Sequence, residues 1–409
     1  MKIFFKYLFT ILAIFFAIYL IYLNVKLYYK PEIINNEGFD YNNDVVKQVQ
    51  FIQEEIQEKQ LGEKMQNIYP EGYFFSHVLC GLTMTDIHPI YFGEYNHNFG
   101  DSIPFGIDYI LECLYSEKGT QIFPADLKPK YGIFYAGWTN YLLAKKLRAI
   151  PYYNRDSAEI KLFEKNCDEI AAAFQQKGMP YLESYKGLSW PADNIVAVAS
   201  LALHDKIFKS KYKEFIKNWI EKVKTKADKD GLIPHQVEFK TNNVKEEAKG
   251  SSQSLLLCFL HDIDTTFARQ QFNIYKKLFV DYRFGLPGIR EHKKGISADG
   301  DIDSGPVILD IGGSASLVGL KTMSIYNETK LMVGLRNSIE AFGMASSNKE
   351  SKKYLFGQIP IADCFIAWSS TNAYSSEEDK LGNWRWKFQL ISLSILLFLV
   401  ASNYWLYKK

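Results

Sequence analysis

The sequence predicts an all-α protein in which six outer–inner helical hairpins close into a double ring, an (α/α)6 toroid, flanked by one transmembrane helix at each end. Three observations carry that prediction. Charged and apolar helical segments alternate along the middle of the chain, the apolar ones recur at a near-constant interval, and both ends hold long apolar runs. The 409 residues are 47% hydrophobic and 15% aromatic, with a formal net charge of +2. That length suits one large domain or two small ones.

The ends come first. Tyr7 to Leu23 reads YLFTILAIFFAIYLIYL, and Leu390 to Ala401 reads LISLSILLFLVA between Trp384, Trp386, Tyr404 and Trp405. About 20 residues of helix cross a bilayer, and aromatic residues suit its two interfaces. The residues after the first run, NVKLYYKPE, lack a small-x-small cleavage site, so an uncleaved anchor over 4–25 is expected rather than a signal peptide. The second helix is expected over 386–405, its alternative being a buried core helix. Two crossings put both tails on one side. Lys2, Lys6, Lys408 and Lys409 mark the tails while Lys26, Lys30, Arg385 and Lys387 mark the domain side, so charge leaves the orientation open. The arrangement expected has the lipid bilayer as partner, an inner membrane of bacterial type, and domain 38–379 on the external or periplasmic side.

Between the anchors, the charged set reads NNDVVKQVQFIQEEIQEKQ, DSIPFGIDYILECLYSEK, SAEIKLFEKNCDEIAAAFQQKG, KYKEFIKNWIEKVKTKA, DTTFARQQFNIYKKLFVDY and NETKLMVGLRNSIEAFGMA. Apolar residues three and four apart give each a helix with one wet face. The apolar set begins near Phe74, Tyr131, Trp190, Gly250, Asp303 and Ile361, at intervals of about 53 to 60 residues. A helix apolar nearly all round is a buried helix. Six of each imply an inner ring inside an outer one; an irregular helical bundle is the alternative. No sustained period-2 run is present, and DKDGLIPHQVEF and YRFGLPGIRE are at most short strand-like excursions.

In such a ring all inner helices run the same way, so their N-terminal ends share one rim. Unpaired N–H groups and positive dipole ends there tolerate carboxylates and can hold an anionic or heavily hydroxylated ligand. The rim then takes Glu71, Tyr73 and His77; Tyr131, Tyr135 and Trp138; Trp190, Asp193 and Asn194; His235, Gln236, Glu238, Ser251, Ser252 and Gln253; Asp301 and Asp303; and Asp363 and Trp368. The stretch GISADGDIDSGPVILDIGGSAS enters the fifth inner helix near Asp303. Its Gly and Ser residues are expected to let that helix approach its neighbours closely.

Aromatic faces with carboxylates and amides suit a carbohydrate. Glycoside cleavage needs one protonated and one ionised carboxyl group. Asp193 and Asp303 are the chosen pair, each near a proline (Pro191, Pro306) at the first turn of a buried helix. N-capping is the competing role for both. Glu238 or Glu71 is the candidate acid, Asp301 the more exposed alternative to Asp303, and His235 a candidate proton carrier.

Other chemistries lack motifs. The five cysteines are scattered, so buried free thiols are expected rather than a disulfide framework or zinc knuckle. No metal is expected, since His88, Glu94 and His97 lack ligand spacing. There is no G-x-S-x-G, Walker loop or H-E-x-x-H, and no cofactor is expected. Near-neutral charge with no dense basic run argues against nucleic acid.

The hairpin repeat resembles the six-hairpin toroid superfamily of glycosidases, polysaccharide lyases and sugar epimerases. Within it, YPEGYFFSHVLCGL and SWPADNIVAVASLALHD are similar to segments of the linalool dehydratase–isomerase family. That similarity implies acid–base chemistry at the rim, with Tyr73, His77 and Asp193 near the relevant positions and no match to that family's cysteine set. The reading is a membrane-anchored toroid enzyme of the cell envelope acting on a glycan by carboxylate acid–base chemistry, with hydrolase, lyase and isomerase reactions all open. The alternatives are a non-catalytic glycan- or protein-binding component of an envelope assembly, or a lyase or isomerase acting on a small alcohol.

Overall fold

The computed structural model describes residues 2–36, 38–87, 106–301 and 304–408. The chain enters through α1 (Lys2–Lys26) and a hairpin of β1 (Ile33–Asn36) and β2 (Phe39–Asn42). It continues through α2 (Asn43–Lys59), α3 (Leu61–Gln66), α4 (Gly72–Asp86), α5 (Ile107–Tyr115), α6 (Glu117–Thr120), α7 (Gly132–Ala149) and α8 (Ser157–Lys177). Then come β3 (Leu188–Ser189), α9 (Pro191–Ile207), α10 (Lys213–Lys224), β4 (Gln236–Glu238), β5 (Val244–Glu246), α11 (Gly250–Ile263) and α12 (Thr265–Phe279). The hairpins β6 (Val280–Arg283)–β7 (Leu286–Ile289) and β8 (Val307–Ile308)–β9 (Ile311–Gly312) lead to α13 (Gly313–Ile325) and α14 (Thr329–Phe342). The chain closes with β10 (Ser346–Ser347), β11 (Lys352–Lys353), α15 (Pro360–Ser370) and α16 (Trp386–Lys408).

Helix sequence decides helix depth. The apolar helices α4, α7, α9, α11, α13 and α15 pack in a cycle, each against the next, with α15 returning to α4. The amphipathic helices lie outside them: α2 on α4 and α15, α5 on α4, α8 on α7 and α9, α10 on α9, α12 on α11, and α14 on α13. Aromatic rings fill the middle of the cycle. Trp138 meets Phe75 edge-on at 5.5 Å and Phe259 at 5.1 Å, and Phe259 stacks on Trp368 at 5.7 Å.

Two expectations need correction. The chain is helical but not purely so, because short antiparallel ladders link the helices. One of them holds Gln236–Glu238 between β3 and β5. Another is the β6–β7 hairpin of YRFGLPGI, whose turn residues Phe284 and Gly285 have φ of +53° and +87°. That pair of left-handed residues is the tight turn that suits strand twist, usually built from Asn-Gly. The fifth inner helix starts at Gly313, ten residues later than expected. Leu309 and Asp310 take φ of +51° and +68°, so the chain reverses in the β8–β9 hairpin first, and Pro306 precedes that hairpin rather than opening a helix.

Among the described residues, α1 and α16 are the two helices long and apolar enough to cross a membrane, with 17% and 6% of their most apolar stretches buried. A soluble core helix would be mostly covered. They pack antiparallel, joined by Thr10 to Asn403 (2.8 Å) and Asn24 to Ser392 (2.9 Å). Buried polar bonds fasten α1 to the helical body. Asn337 donates to the Leu27 carbonyl at 2.7 Å, and Arg336 donates to Tyr29 O at 3.2 Å while pairing with Glu378.

Candidate functional site

The N-terminal ends of the inner helices are where the sequence placed the site. None of their N-cap residues (Glu71, Tyr131, Trp190, Lys249, Gly312, Ile359) makes a side-chain cap bond, whereas Asn42, Asp156 and Asp264 cap outer helices. The inner N-termini therefore keep N–H groups for other partners.

A first cluster forms where α4, α7 and α9 begin. Tyr131 and Gly132 adopt φ of +70° and +85°, and a Cβ on Gly132 would lie 2.4 Å from Ser184 O. Glycine thus lets segment 181–185 lie directly on the start of α7, where Ile133 N–H donates to Glu183 O at 2.9 Å. Asn194 holds the same segment from α9, accepting from Leu182 N–H at 2.7 Å and donating to Trp190 O at 2.9 Å. The segment delivers Ser184 and Tyr185. Ser184 Oγ donates to the buried Asp193 Oδ2 at 2.6 Å and accepts from Trp190 N–H at 3.3 Å. Tyr185 donates a short hydrogen bond to Glu71 Oε1. Burial, then the charges of Glu71 and Asp193, push its phenol far above the usual range. Each carboxylate thus takes one hydroxyl of the segment, Asp193 that of Ser184 and Glu71 that of Tyr185. Phe123 stacks on the Tyr185 ring at 5.7 Å and Trp190 meets it edge-on at 5.7 Å.

A second cluster forms around α11. Lys249 pairs with Glu246 at 2.7 Å and with Asp301 at 2.9 Å. Burial alone would raise Asp301; the Lys249 ammonium and the Ser304 N–H outweigh it and hold the carboxyl at about 2. His235 is buried, with Nδ1 unpartnered among the described residues. Burial, reinforced by Lys249, pushes its imidazole down to about 4, so it is neutral at pH 7. Glu291 accepts from Ser251 N–H (3.1 Å) and Oγ (2.7 Å), capping α11 from outside its own sequence.

The remaining predicted residues go elsewhere. Tyr73 and His77 stack on each other at 4.2 Å and pack against Gly62 of α3, and burial pushes His77 down to about 4. Tyr135 donates to Leu114 O of α5 at 3.0 Å. Trp138 lies on the central aromatic column. Gln253 donates to Ile233 O at 2.6 Å, and exposed Glu238 accepts from Thr241. Asp363 is fully buried, accepting from Tyr354 N–H at 2.8 Å through Oδ1, with Oδ2 unpartnered among the described residues. Trp368 belongs to the other end of the cycle, beneath Lys321. Asp303 lies outside the described residues, as do His88, Glu94 and His97.

Sequence reasoning missed Tyr185, Ser184, Lys249 and Glu291. All four lie in connections or at a helix boundary, where periodicity carries no signal. The thiols of Cys80 and Cys258 are pushed up by burial to about 12 and about 11.

No family model matches the chain, and no curated protein matches it. Among solved structures it is similar to the crystal structure of a D-mannose isomerase, at 11% identity over 94% of this chain and 97% of that one, with a TM-score of 0.43. At that score the likeness bears on neither activity nor substrate.

Proposed function

We propose that this chain is a membrane-anchored enzyme with an (α/α)6-toroid domain, 38–379, acting on a glycan by carboxylate acid–base chemistry at the end where the inner helices begin. The placing of two hydrogen-bonded carboxylates, Asp193 on Ser184 and Glu71 on Tyr185, at one end of the cycle beside Trp190 carries the reading. The cycle of six apolar helices within six amphipathic ones supports the toroid. The exposed apolar pair α1–α16 supports the anchor; an external domain with the short tails inside is part of the proposal.

Asp193, which accepts from the Ser184 hydroxyl, is the candidate base. Glu71 is the candidate acid, and Tyr185, whose phenol proton is held tightly, orients it by hydrogen bond rather than giving that proton up. Trp190 and Tyr131 offer ring faces to a sugar, and Asp301 with neutral His235 lines the neighbouring stretch of rim. A binding role without turnover is the second reading. It is favoured by the same bonds, because Asp193 and Glu71 are already committed to Ser184 and Tyr185.

The test is turnover of a panel of envelope glycans by the full chain, alongside Glu71→Gln, Asp193→Asn and Tyr185→Phe. We expect each variant to lose roughly 100-fold or more in rate with an unchanged circular-dichroism melt. Unchanged turnover in all three removes the site. A wild-type chain that binds a glycan without cleaving or isomerising it decides for the binding reading.

A further inference from the structure

The opposite end of the cycle, where the inner helices finish, holds a cavity of about 180 Å³ that takes no part in the reaction proposed above. Its lining draws on α4, α7, α11, α13 and α15, and the charged members are Asp86, Lys145, Asp262 and Lys321. Asp86 is pinned between two ammonium groups, Lys145 Nζ and Lys321 Nζ, each at 2.7 Å. Lys321 spends its remaining N–H groups on Trp368 O and Thr371 Oγ1, both at 3.0 Å. Lys145 has no polar partner besides Asp86 among the described residues. Asp262 accepts from Tyr141 OH at 2.8 Å and, from outside, from Lys206 at 2.9 Å.

Two features point to a ligand. The hydroxyl of Ser369, which lines the cavity and is 1% exposed, has no hydrogen-bond partner among the described residues. A buried hydroxyl left unpaired keeps the unfavourable cost of its lost hydration, which a partner in the cavity relieves. Lys145 likewise holds unspent donors at the cavity wall.

The charges decide the class. Two lysines and two aspartates line the space, so an anionic ligand meets two carboxylates and a cationic one meets two ammonium groups. A neutral molecule whose hydroxyls both donate and accept satisfies all four. The volume has room for roughly six water molecules, or one ligand of about six to ten non-hydrogen atoms. We propose that this end of the cycle is a second site, which binds a small neutral polyol through the unspent donors of Lys145, the Ser369 hydroxyl and the Asp86 carboxylate that Lys321 holds in place.

The test is binding of xylitol to the full chain in nanodiscs, free of glycosidic detergent, read by saturation-transfer NMR and calorimetry. Xylonate and 1-amino-1-deoxyxylitol serve as charged analogues. We expect xylitol to bind more tightly than either analogue. Ser369→Ala should weaken it about tenfold with a melt close to wild type, and Lys145→Gln about tenfold when measured well below its lowered melting temperature, while Glu71→Gln and Asp193→Asn leave it unchanged. The proposal is overturned if xylitol does not bind, if a charged analogue binds more tightly, or if binding survives both cavity variants. Loss on Asp193→Asn overturns it too, because the polyol would then sit at the opposite end.

Discussion

The two ends of the inner helices carry opposite chemistry. Where the helices begin, carboxylates gather on hydroxyl, phenol and amide donors: Asp193 on Ser184, Glu71 on Tyr185, Glu291 on Ser251. Where they finish, lysines do: Lys145 and Lys321 on Asp86, and Lys206 on Asp262. A helix presents partial positive charge at its start and partial negative charge at its end, each complemented by the opposite side-chain sign. Six helices running in parallel sum that preference at each end. The difference teaches that one architecture imposes two electrostatic environments: one suits holding carboxylates ready for proton transfer, and the other suits a locked, charge-balanced ion-pair network.

The largest effect is expected from breaking the lysine end. Asp86 and Lys321 have side chains about one-tenth exposed. Lys321→Met leaves a buried carboxylate with one partner, and removing half of such a pair costs about 3–5 kcal/mol. Thermal and urea unfolding should show that loss. Lys186→Met, which breaks an ion pair to Asp126 whose side chains are 75% and 65% exposed, should leave both unfolding transitions close to wild type. Equal losses would mean that the Asp86 network is no more buried in solution than a surface pair.

Next in size is a contrast in pH dependence. Burial alone would raise Asp86, but Lys145 and Lys321 outweigh it and hold the carboxyl well below its ordinary range. The stability it adds is present above its unfolded value near 4 and is lost as the pH falls below that. Asp363, at the start of α15, is the reverse: burial pushes it up to about 7, with one oxygen unpartnered among the described residues. It binds its proton more tightly folded than unfolded, so stability declines as pH rises from about 4 to about 7. Asp363→Asn should remove that decline and raise stability at pH 8 by about 1–3 kcal/mol, as urea unfolding at pH 5 and pH 8 would show. A variant whose pH profile matches the wild type would show that Asp363 is hydrated and ionised at neutrality.

The legible part of this molecule was the part set by periodicity. Five inner helices begin within two residues of the starts read from sequence, because an all-round apolar pattern leaves a segment no position but the interior. The fifth departed because VILDIG spends two left-handed residues on a hairpin, and neither Leu309 nor Asp310 advertises positive φ as glycine does. At the rim, Asp193, Trp190 and Glu71 were legible from their places at helix starts. Tyr185 was not, since the Gly132 contact that brings segment 181–185 onto α7 is long-range. The lysine end carries no signal of its own in the sequence: Asp86, Lys145 and Lys321 read as ordinary ends of apolar helices until three of those ends are brought together.

The smallest effects separate the ends most finely, and one hydroxyl–carboxylate bond from each end makes the comparison. At the start of the helices, Ser184 donates to Asp193 at 2.6 Å and is fully buried with it. At the finish, Tyr141 donates to Asp262 at 2.8 Å, but Asp262 also has Lys206 and partial solvent access. Ser184→Ala deprives Asp193 of a buried donor and Trp190 N–H of an acceptor, so it should cost about 1–3 kcal/mol and lower turnover as well. Tyr141→Phe leaves Asp262 its ammonium and its water, and should cost about 1 kcal/mol or less with turnover unchanged. Unfolding and rate measurements on the two variants together check the assignment. A drop in turnover from Tyr141→Phe that matches the one from Ser184→Ala would mean that the reaction senses both ends, and the division of labour between them would fail.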